Sequence, residues 1–243
     1  MKHIAWIICI TVLISCKETA DKQNTKEAGS KHGVVEESEG IVECSVIVTS
    51  PDSNDIRTFY EFNPAKTEMY FKGDHFKLVE YGGLSAGNIL LNNADYSVYQ
   101  LDTMHKIAYR GVYSDLASAN AQVKELMPDH YEPTVEETGE TEIILGYTCK
   151  KLKVTRSGFV RANGNTYMWV TDSIIFPPAR YDIETDFNKV ITPVPMLIGY
   201  RNGTVMRLTY MADSMEVKYE ITRLTLMPLQ DSVFEIPSDY EIQ

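Results

Sequence analysis

The stretch Met215-Glu216-Val217-Lys218-Tyr219-Glu220-Ile221 alternates apolar and polar side chains without a break. Successive side chains of a β-strand point to opposite faces, so this period of two predicts a strand with one buried face and one wet face. The phase then slips, because Leu224 and Leu226 are apolar whereas Arg223 and Thr225 are polar. Such a slip is typical either of a β-bulge in a curling sheet or of two separate strands.

The same alternation recurs through most of the chain from residue 40 onward, first at Val42, Cys44, Val46 and Val48. Two-residue hairpin turns are predicted at Gly73-Asp74, Asn163-Gly164 and Asn202-Gly203, where glycine or asparagine accepts a positive φ. The pattern predicts a mainly β domain with an antiparallel sheet of roughly eight to eleven strands, a size at which open sheets curl or split.

Helix-forming sequence is scarce. The best candidate is 114–127, where Ser114 can cap the first turn and Pro128 stops the run. Its apolar stripe consists of Leu116, Ala119, Val123, Leu126 and Met127. The segment 187–196, with Pro193 and Pro195, is interpreted as a loop or a short distorted helix. Both segments are available to cover an open side of the sheet.

The amino terminus carries an export signal. Lys2 and His3 precede an apolar run from Ile4 to Ile14, which is well short of the roughly 20 residues that span a bilayer. The run ends in Leu13-Ile14-Ser15-Cys16, which resembles the bacterial lipobox. This resemblance implies cleavage before Cys16 and acylation of that cysteine, for example with palmitate. The alternatives are a plain secretory signal and an uncleaved anchor.

Residues 16–39 follow the signal peptide 1–15 as a polar segment without aromatic residues. Such a segment buries too little apolar surface to offset its ordering entropy, so it is predicted to be a flexible tether to a single domain at 40–243. The predicted location is the bacterial cell envelope, as an outer membrane lipoprotein that faces either the periplasm or the cell surface. The formal net charge of −11 argues against a nucleic acid partner.

Removal of Cys9 and acylation of Cys16 leave two cysteines, Cys44 and Cys149. In an oxidising compartment such a pair can form a disulfide. The alternative is two buried thiols on apolar strand faces, since a free cysteine packs like a small hydrophobic residue.

Five segments together resemble a family of envelope lipoproteins with a domain of unknown function, related to the LolA/LolB-like lipoprotein-carrier fold. They are Met69–Lys77 (MYFKGDHFK), Asp95–Tyr109 (DYSVYQLDTMHKIAY), Ile144–Val154 (ILGYTCKKLKV), Trp169–Asp172 (WVTD) and Phe234–Pro237 (FEIP). The resemblance implies an unclosed antiparallel β-barrel, wrapped over a helical lid, with an apolar interior. Carriers of that fold hold acyl chains there, and this implies a lipid or acyl ligand.

The sequence lacks the common motifs of catalysis, metal binding and cofactor binding. The sequence has no Gly-x-Ser-x-Gly, no His-Glu-x-x-His, no phosphate-binding loop and no calcium loop. The histidines that remain after processing, at positions 32, 75, 105 and 130, do not pair at ligand spacing. The sequence therefore predicts no enzyme, no catalytic residue, no metal and no cofactor.

Two functions fit these observations. The first is a membrane-tethered lipoprotein that binds an acyl chain or lipid inside the barrel and acts in lipoprotein or lipid trafficking. Its predicted cavity residues are Phe71, Val98, Met206, Leu208, Tyr210, Val217 and Tyr219. The second is a structural or interaction lipoprotein with a packed barrel that docks an envelope protein. A large apolar cavity favours the first, and a filled core with an exposed apolar patch favours the second.

Overall fold

The computed structural model describes residues 35–36, 39–73, 75–84, 87–92, 97–112, 134–155, 166–175, 199–201, 203–212 and 214–243. The predicted signal peptide, Cys16, most of the tether, the helix at 114–127, the turn at 163–164 and the segment 187–196 lie outside these ranges. Within them, no helix is long and apolar enough to cross a membrane.

Strands dominate the described residues. They are β1 (Val35–Glu36), β2 (Glu39–Thr49), β3 (Lys66–Lys72), β4 (His75–Tyr81), β5 (Gly87–Asn92), β6 (Ser97–Asp102), β7 (Ile107–Val112), β8 (Thr134–Ile144), β9 (Tyr147–Thr155), β10 (Thr166–Thr171), β11 (Ile174–Ile175), β12 (Gly199–Tyr200), β13 (Gly203–Ala212), β14 (Met215–Leu226) and β15 (Glu241–Ile242). One α-helix, α1 (Ser53–Phe62), and a 3₁₀ turn at Asp231–Phe234 accompany them.

One sheet contains nearly all of these strands. Its order is β15-β7-β6-β5-β4-β3-β2-β14-β13-β10-β9-β8, with β12 beside β13. The pairs are antiparallel except β15 with β7, and no pairing between described strands joins β8 back to the β7–β15 end. The predicted class, a mainly β fold built on a large unclosed antiparallel sheet, is confirmed. The sheet has thirteen strands, more than predicted, because the two-residue strands β12 and β15 add to it.

The phase slip in β14 is a bulge. The pairing of β14 with β2 shifts register between Ile221 and Arg223, and the strand continues to Leu226. A bulge bends its strand and increases the local twist, so the slip marks curvature within one strand rather than a break between two.

Of the predicted turns that lie in the described residues, one is confirmed and one is shifted by a residue. Lys72 pairs with His75 around Gly73, whose φ is 55°, as predicted for a two-residue hairpin. Near Asn202-Gly203 the turn lies one residue earlier than predicted, because Tyr200 pairs with Gly203 around Arg201 at φ 47°. A Cβ at position 203 would lie 2.6 Å from Val170 Cγ1, so this glycine is required for close packing rather than for the turn.

Helix α1 does not appear in the sequence-based prediction. Asp52 caps it by accepting a hydrogen bond from the Asn54 backbone N–H at 2.8 Å. Its core-facing residues, Ile56, Phe59 and Tyr60, have the spacing of one helical face. The helix lies in the connection from β2 to β3 and packs on the main core.

Ordered structure begins ahead of residue 40. Val35 and Glu36 form β1, which pairs in parallel with Ile174 and Ile175 of β11, and Glu39 begins β2. The segment predicted as tether therefore ends in short strand pairing in this structure rather than continuing as coil to residue 39.

The sheet buries side chains on both faces, but unequally. The large core lies on one face of the sheet, formed by β2 to β6 and β8 to β14, which we call the inner face. A smaller cluster, formed by Leu90, Leu101 and Ala108, lies on the opposite face and packs against Ile236 and Tyr240. The carboxy-terminal segment thus covers the outer face at the β5–β7 end of the sheet.

Candidate functional site

The inner wall of the sheet is an apolar surface built by strand pairing, because directly paired residues point to the same face. One row runs from β5 to β2 through Ile89, Leu78, Met69 and Val42. A second row runs from β2 to β9 through Val46, Tyr219, Leu208, Met168 and Leu152. Every residue of both rows is at most 5% exposed. We call this surface the inner wall.

The seven residues predicted for a cavity all belong to the inner wall. Phe71 lies on β3, Val98 on β6, and the others on the central strands β13 and β14, namely Met206, Leu208, Tyr210, Val217 and Tyr219. They form part of one buried cluster and are at most 8% exposed. The structure thus brings them together on one face, and their contact with a ligand stays a prediction.

An acid lies in this wall. Glu80 of β4 continues the inward phase of Phe76 and Leu78, pairs with Thr67 of β3, and is only 9% exposed. Its Oε2 atom has no hydrogen-bond partner among the described residues. Burial raises the pKa of the Glu80 carboxyl to about 7, since a low-dielectric surrounding disfavours the charged form.

Polar groups of neighbouring strands share the level of Glu80. The pairing continues from Thr67 to Cys44 on β2 and to Ile221 on β14, and these three side chains are each 1% exposed. Tyr219 lies two residues from Ile221 on the same face, and the charges of Cys44 and Glu80 both act on its hydroxyl. The inner wall therefore contains one layer of hydrogen-bonding groups within an apolar surface.

Two tyrosines of the inner wall lie against each other. The rings of Tyr210 and Tyr219 stack with centroids 6.2 Å apart, and both side chains are buried. Burial raises the pKa of Tyr210 to about 12 and the pKa of Tyr219 well above its usual value. Both hydroxyls remain protonated near neutral pH, so each can still donate and accept a hydrogen bond.

The outer face of the sheet differs from the inner wall, because it carries basic and acidic side chains that form ion pairs with one another. Arg207 makes a bidentate contact with Glu142, with distances of 2.7 and 3.0 Å, and also contacts Glu220. Its guanidinium lies 5.0 Å from the centre of the Trp169 ring. Lys66 contacts both Glu43 and Glu68. These acids have their cations, whereas no cation in the described part of the chain pairs with Glu80 on the inner face.

The two domain cysteines are free thiols in this structure, and both are buried. Strands β14, β13 and β10 lie between β2, which carries Cys44, and β9, which carries Cys149. Adjacent strands are about 4.8 Å apart, so this strand order does not by itself bring the two within the roughly 7 Å between Cα atoms that a disulfide requires. The arrangement corresponds to the second of the two alternatives, buried thiols on strand faces.

Comparisons with known proteins give structural likenesses only. No protein-family model matches the chain, and no curated protein matches it. Among solved structures, lipoprotein LppX of Mycobacterium tuberculosis is 12% identical with a TM-score of 0.38, over 78% of this chain and 88% of that one. LprF of Mycobacterium bovis is 12% identical with a TM-score of 0.35, over 84% and 90%.

A LolA superfamily protein of Nitrosomonas europaea also matches, at 14% identity and a TM-score of 0.32, over 82% of this chain and 90% of that one. Proteins of the type that the sequence resembles are therefore among the matches. With TM-scores below 0.5, nothing about ligand or activity follows from these likenesses.

Sequence reasoning missed Glu80, although a signal was present. The stretch His75-Phe76-Lys77-Leu78-Val79-Glu80 places the acid in phase with two apolar residues. Reading the pattern by apolar residues alone assigns acids to the wet face by default. An acid on the apolar phase of a strand is the signal that identifies this group.

Proposed function

We propose that this protein is a lipid-anchored protein of the bacterial envelope that binds a hydrophobic molecule, an acyl chain or a lipid, on the inner wall of its open sheet. The observation that carries the proposal is the inner wall itself, which runs without interruption from β5 to β9 in a sheet whose ends are unpaired among the described strands. We further propose a role in lipoprotein or lipid trafficking, with Cys16 as the acylated anchor.

Binding by burial supplies the affinity. Removal of apolar surface from water is worth about 25 cal/mol per Å², so sequestering a few hundred Å² of an acyl chain contributes several kcal/mol before association costs. The wall side chains are almost fully buried, so a ligand must displace the groups that pack on them. An unclosed sheet can widen without breaking a ladder of backbone hydrogen bonds, which keeps the cost of opening low.

The test is native mass spectrometry of the full chain purified from the membrane of its host. We expect a mass that exceeds protein plus covalent acyl groups, and the excess should dissociate as a lipid on denaturation. A clean mass, together with failure to take up either a fluorescent fatty alcohol or a fluorescent fatty acid, would overturn the proposal and favour a packed interaction lipoprotein.

A matched pair of variants locates the binding surface. Val98→Ser replaces two methyl groups of the inner wall with a hydroxyl and should weaken uptake of the fluorescent fatty alcohol. Ile143→Ser makes a similar change at a side chain that is 71% exposed and should leave uptake unchanged. Circular dichroism of both variants verifies the fold. Equal uptake by both would place the ligand elsewhere than on the wall.

The anchor has its own test. Growth with radiolabelled palmitate should label the wild-type chain, and Cys16→Ser should abolish the label. Retention of label in the variant would show that acylation occurs at another residue, and an unlabelled wild-type chain would remove the anchor from the proposal.

A further inference from the structure

Glu80 is the one acid that the inner wall presents to the interior among the described residues, and its surroundings are polar only in part. Thr67 lies beside it on β3, Cys44 follows on β2, and the negative charge of Glu80 acts on the Tyr219 hydroxyl. Above this layer the wall is apolar, through Leu78 and Phe76 of the same strand. A carboxyl group is thus held at one level of an otherwise hydrophobic surface.

A structural role alone accounts poorly for this carboxyl group. Burying an acid without a partner is unfavourable, and a buried carboxylate with a structural role is normally paired. Two partly buried acids of this sheet are paired in this way, since Glu43 and Glu68 contact Lys66 at 2.9 and 2.7 Å. The described cations on the strands around Glu80, including Lys66, Lys77 and Lys218, occupy the outward phase of their strands and cannot pair with it.

We propose that Glu80 accepts a hydrogen bond from the polar end of the bound ligand, and that this end is a hydrogen-bond donor without negative charge. The inference rests on the proposed function and deepens it by naming the ligand class: a long-chain amphiphile with a hydroxyl or amino head, whose chain lies on the inner wall. The Oε2 atom, which has no partner among the described residues, is the acceptor, and the buried hydroxyl of Tyr219 on the same face is a secondary partner.

Charge decides which heads are excluded. An anionic head would place a second negative charge beside the carboxylate, with no described cation on the inner face to offset either one. A hydroxyl head instead donates a hydrogen bond to the Glu80 carboxylate, and the alkyl chain of the ligand can then lie against the apolar rows. A ligand that lacks any donor cannot form that hydrogen bond and leaves the Glu80 carboxylate without it.

The experiment uses the full chain with Cys16→Ser, which prevents acylation, and measures displacement of a fluorescent fatty-chain probe. Three competitors share one chain length: 1-dodecanol, its methyl ether and dodecanoate. Hydrogen bonds to charged groups contribute about 1.5–3 kcal/mol, so at about pH 8 we expect the alcohol to bind at least about tenfold more tightly than the ether. Dodecanoate should bind more weakly than the alcohol.

Two variants and one control isolate the carboxyl group. Glu80→Leu should bind the alcohol and the ether equally. Glu80→Gln keeps an acceptor oxygen but no charge, so it should lose most discrimination against dodecanoate. Glu216→Gln removes the same charge from an exposed position of β14 and should behave as wild type. The alcohol and the ether carry no charge, so the acidic protein surface neither attracts nor repels them.

The outcomes separate the two proposals. If no dodecyl compound displaces the probe, or the probe itself does not bind, the proposed function fails. If the compounds bind but the alcohol, the ether and dodecanoate keep the same ranking in wild type, Glu80→Leu and Glu80→Gln, the role of Glu80 fails while the binding function stands.

Discussion

Tyr210 of β13 and Tyr219 of β14 stack inside the sheet with ring planes 19° apart and centroids separated by 6.2 Å. They are not directly paired, since Tyr210 lies opposite Val217 and Tyr219 lies opposite Leu208. The contact is therefore a diagonal one across two strands, a separation that aromatic side chains can bridge. It joins the two central strands on the inner wall through ring stacking.

A double-mutant cycle on this pair should show coupling. Tyr219→Phe or Tyr210→Phe alone leaves one buried hydroxyl beside an apolar ring, which should lower the free energy of unfolding by about 1–2 kcal/mol. The double variant replaces both hydroxyls and keeps both rings, so its loss should be smaller than the sum of the two single losses. Urea unfolding followed by circular dichroism measures all four proteins. Strict additivity would mean that the hydroxyls do not depend on each other.

The buried carboxyl group predicts a pH dependence of stability. Burial raises the pKa of the Glu80 carboxyl in the folded protein from 4.5 to about 7. The folded protein therefore binds the proton more tightly than the unfolded chain, so stability is full below about pH 4.5 and falls as the pH rises through 7. In Glu80→Gln this loss disappears. Between about pH 4.5 and 8, the variant should gain on the order of 3 kcal/mol relative to wild type.

The measurement is the free energy of unfolding in urea at several pH values for both proteins. Glu216→Gln is the control, because that side chain is exposed and its loss should not alter the pH profile. Parallel profiles for wild type and Glu80→Gln would show that the carboxyl group is hydrated or paired in solution.

The sequence predicts most of the sheet because alternation is a direct consequence of strand geometry. β2 and β14 bury the residues that the period of two assigned to the inner face, and the bulge at Ile221–Arg223 coincides with the phase slip. β8 is the exception, since nearly all of its side chains are exposed and it pairs on one side with β9. Because β8 has so few buried positions, its sequence shows no alternation of apolar and polar residues. In the turn that follows, Leu145 has a φ of 50°, a value that a leucine rarely adopts.

Local and three-dimensional effects account for what the sequence did not reveal. Helix α1 has only ten residues and three core-facing side chains, which is too short a run for periodicity to stand out. The seven predicted cavity residues share one face, as their spacing required, but spacing does not determine how far the opposite halves of a curled sheet approach. Glu80 was overlooked because burial of an acid depends on neighbouring strands that sequence separation conceals.

Tyr60 of α1 replaces a missing strand partner of β2. Its hydroxyl donates to the Val46 carbonyl at 2.9 Å and accepts from the Val48 backbone N–H at 3.2 Å, near the point where pairing with β3 ends. Tyr60→Phe leaves both backbone groups unpaired and should lower the free energy of unfolding by about 1–3 kcal/mol. Tyr70→Phe, which removes a hydroxyl bonded to Glu68 on the outer face, is the matched control and should cost less. Equal losses would show that water replaces the Tyr60 hydroxyl.

The domain thiols should be unreactive while the protein is folded. Burial raises the pKa of Cys44 to about 12 and that of Cys149 to about 11, and thiolate is the reactive form. In the full chain with Cys9→Ser and Cys16→Ser, a disulfide-exchange reagent at about pH 8 should detect no thiol until urea unfolds the protein, and then both. Glu216→Cys, on an exposed position of β14, should react at once and verify the reagent. If Cys44 and Cys149 form a disulfide, neither will react with the reagent in urea until a reductant is added. This result would replace the buried-thiol description with the disulfide.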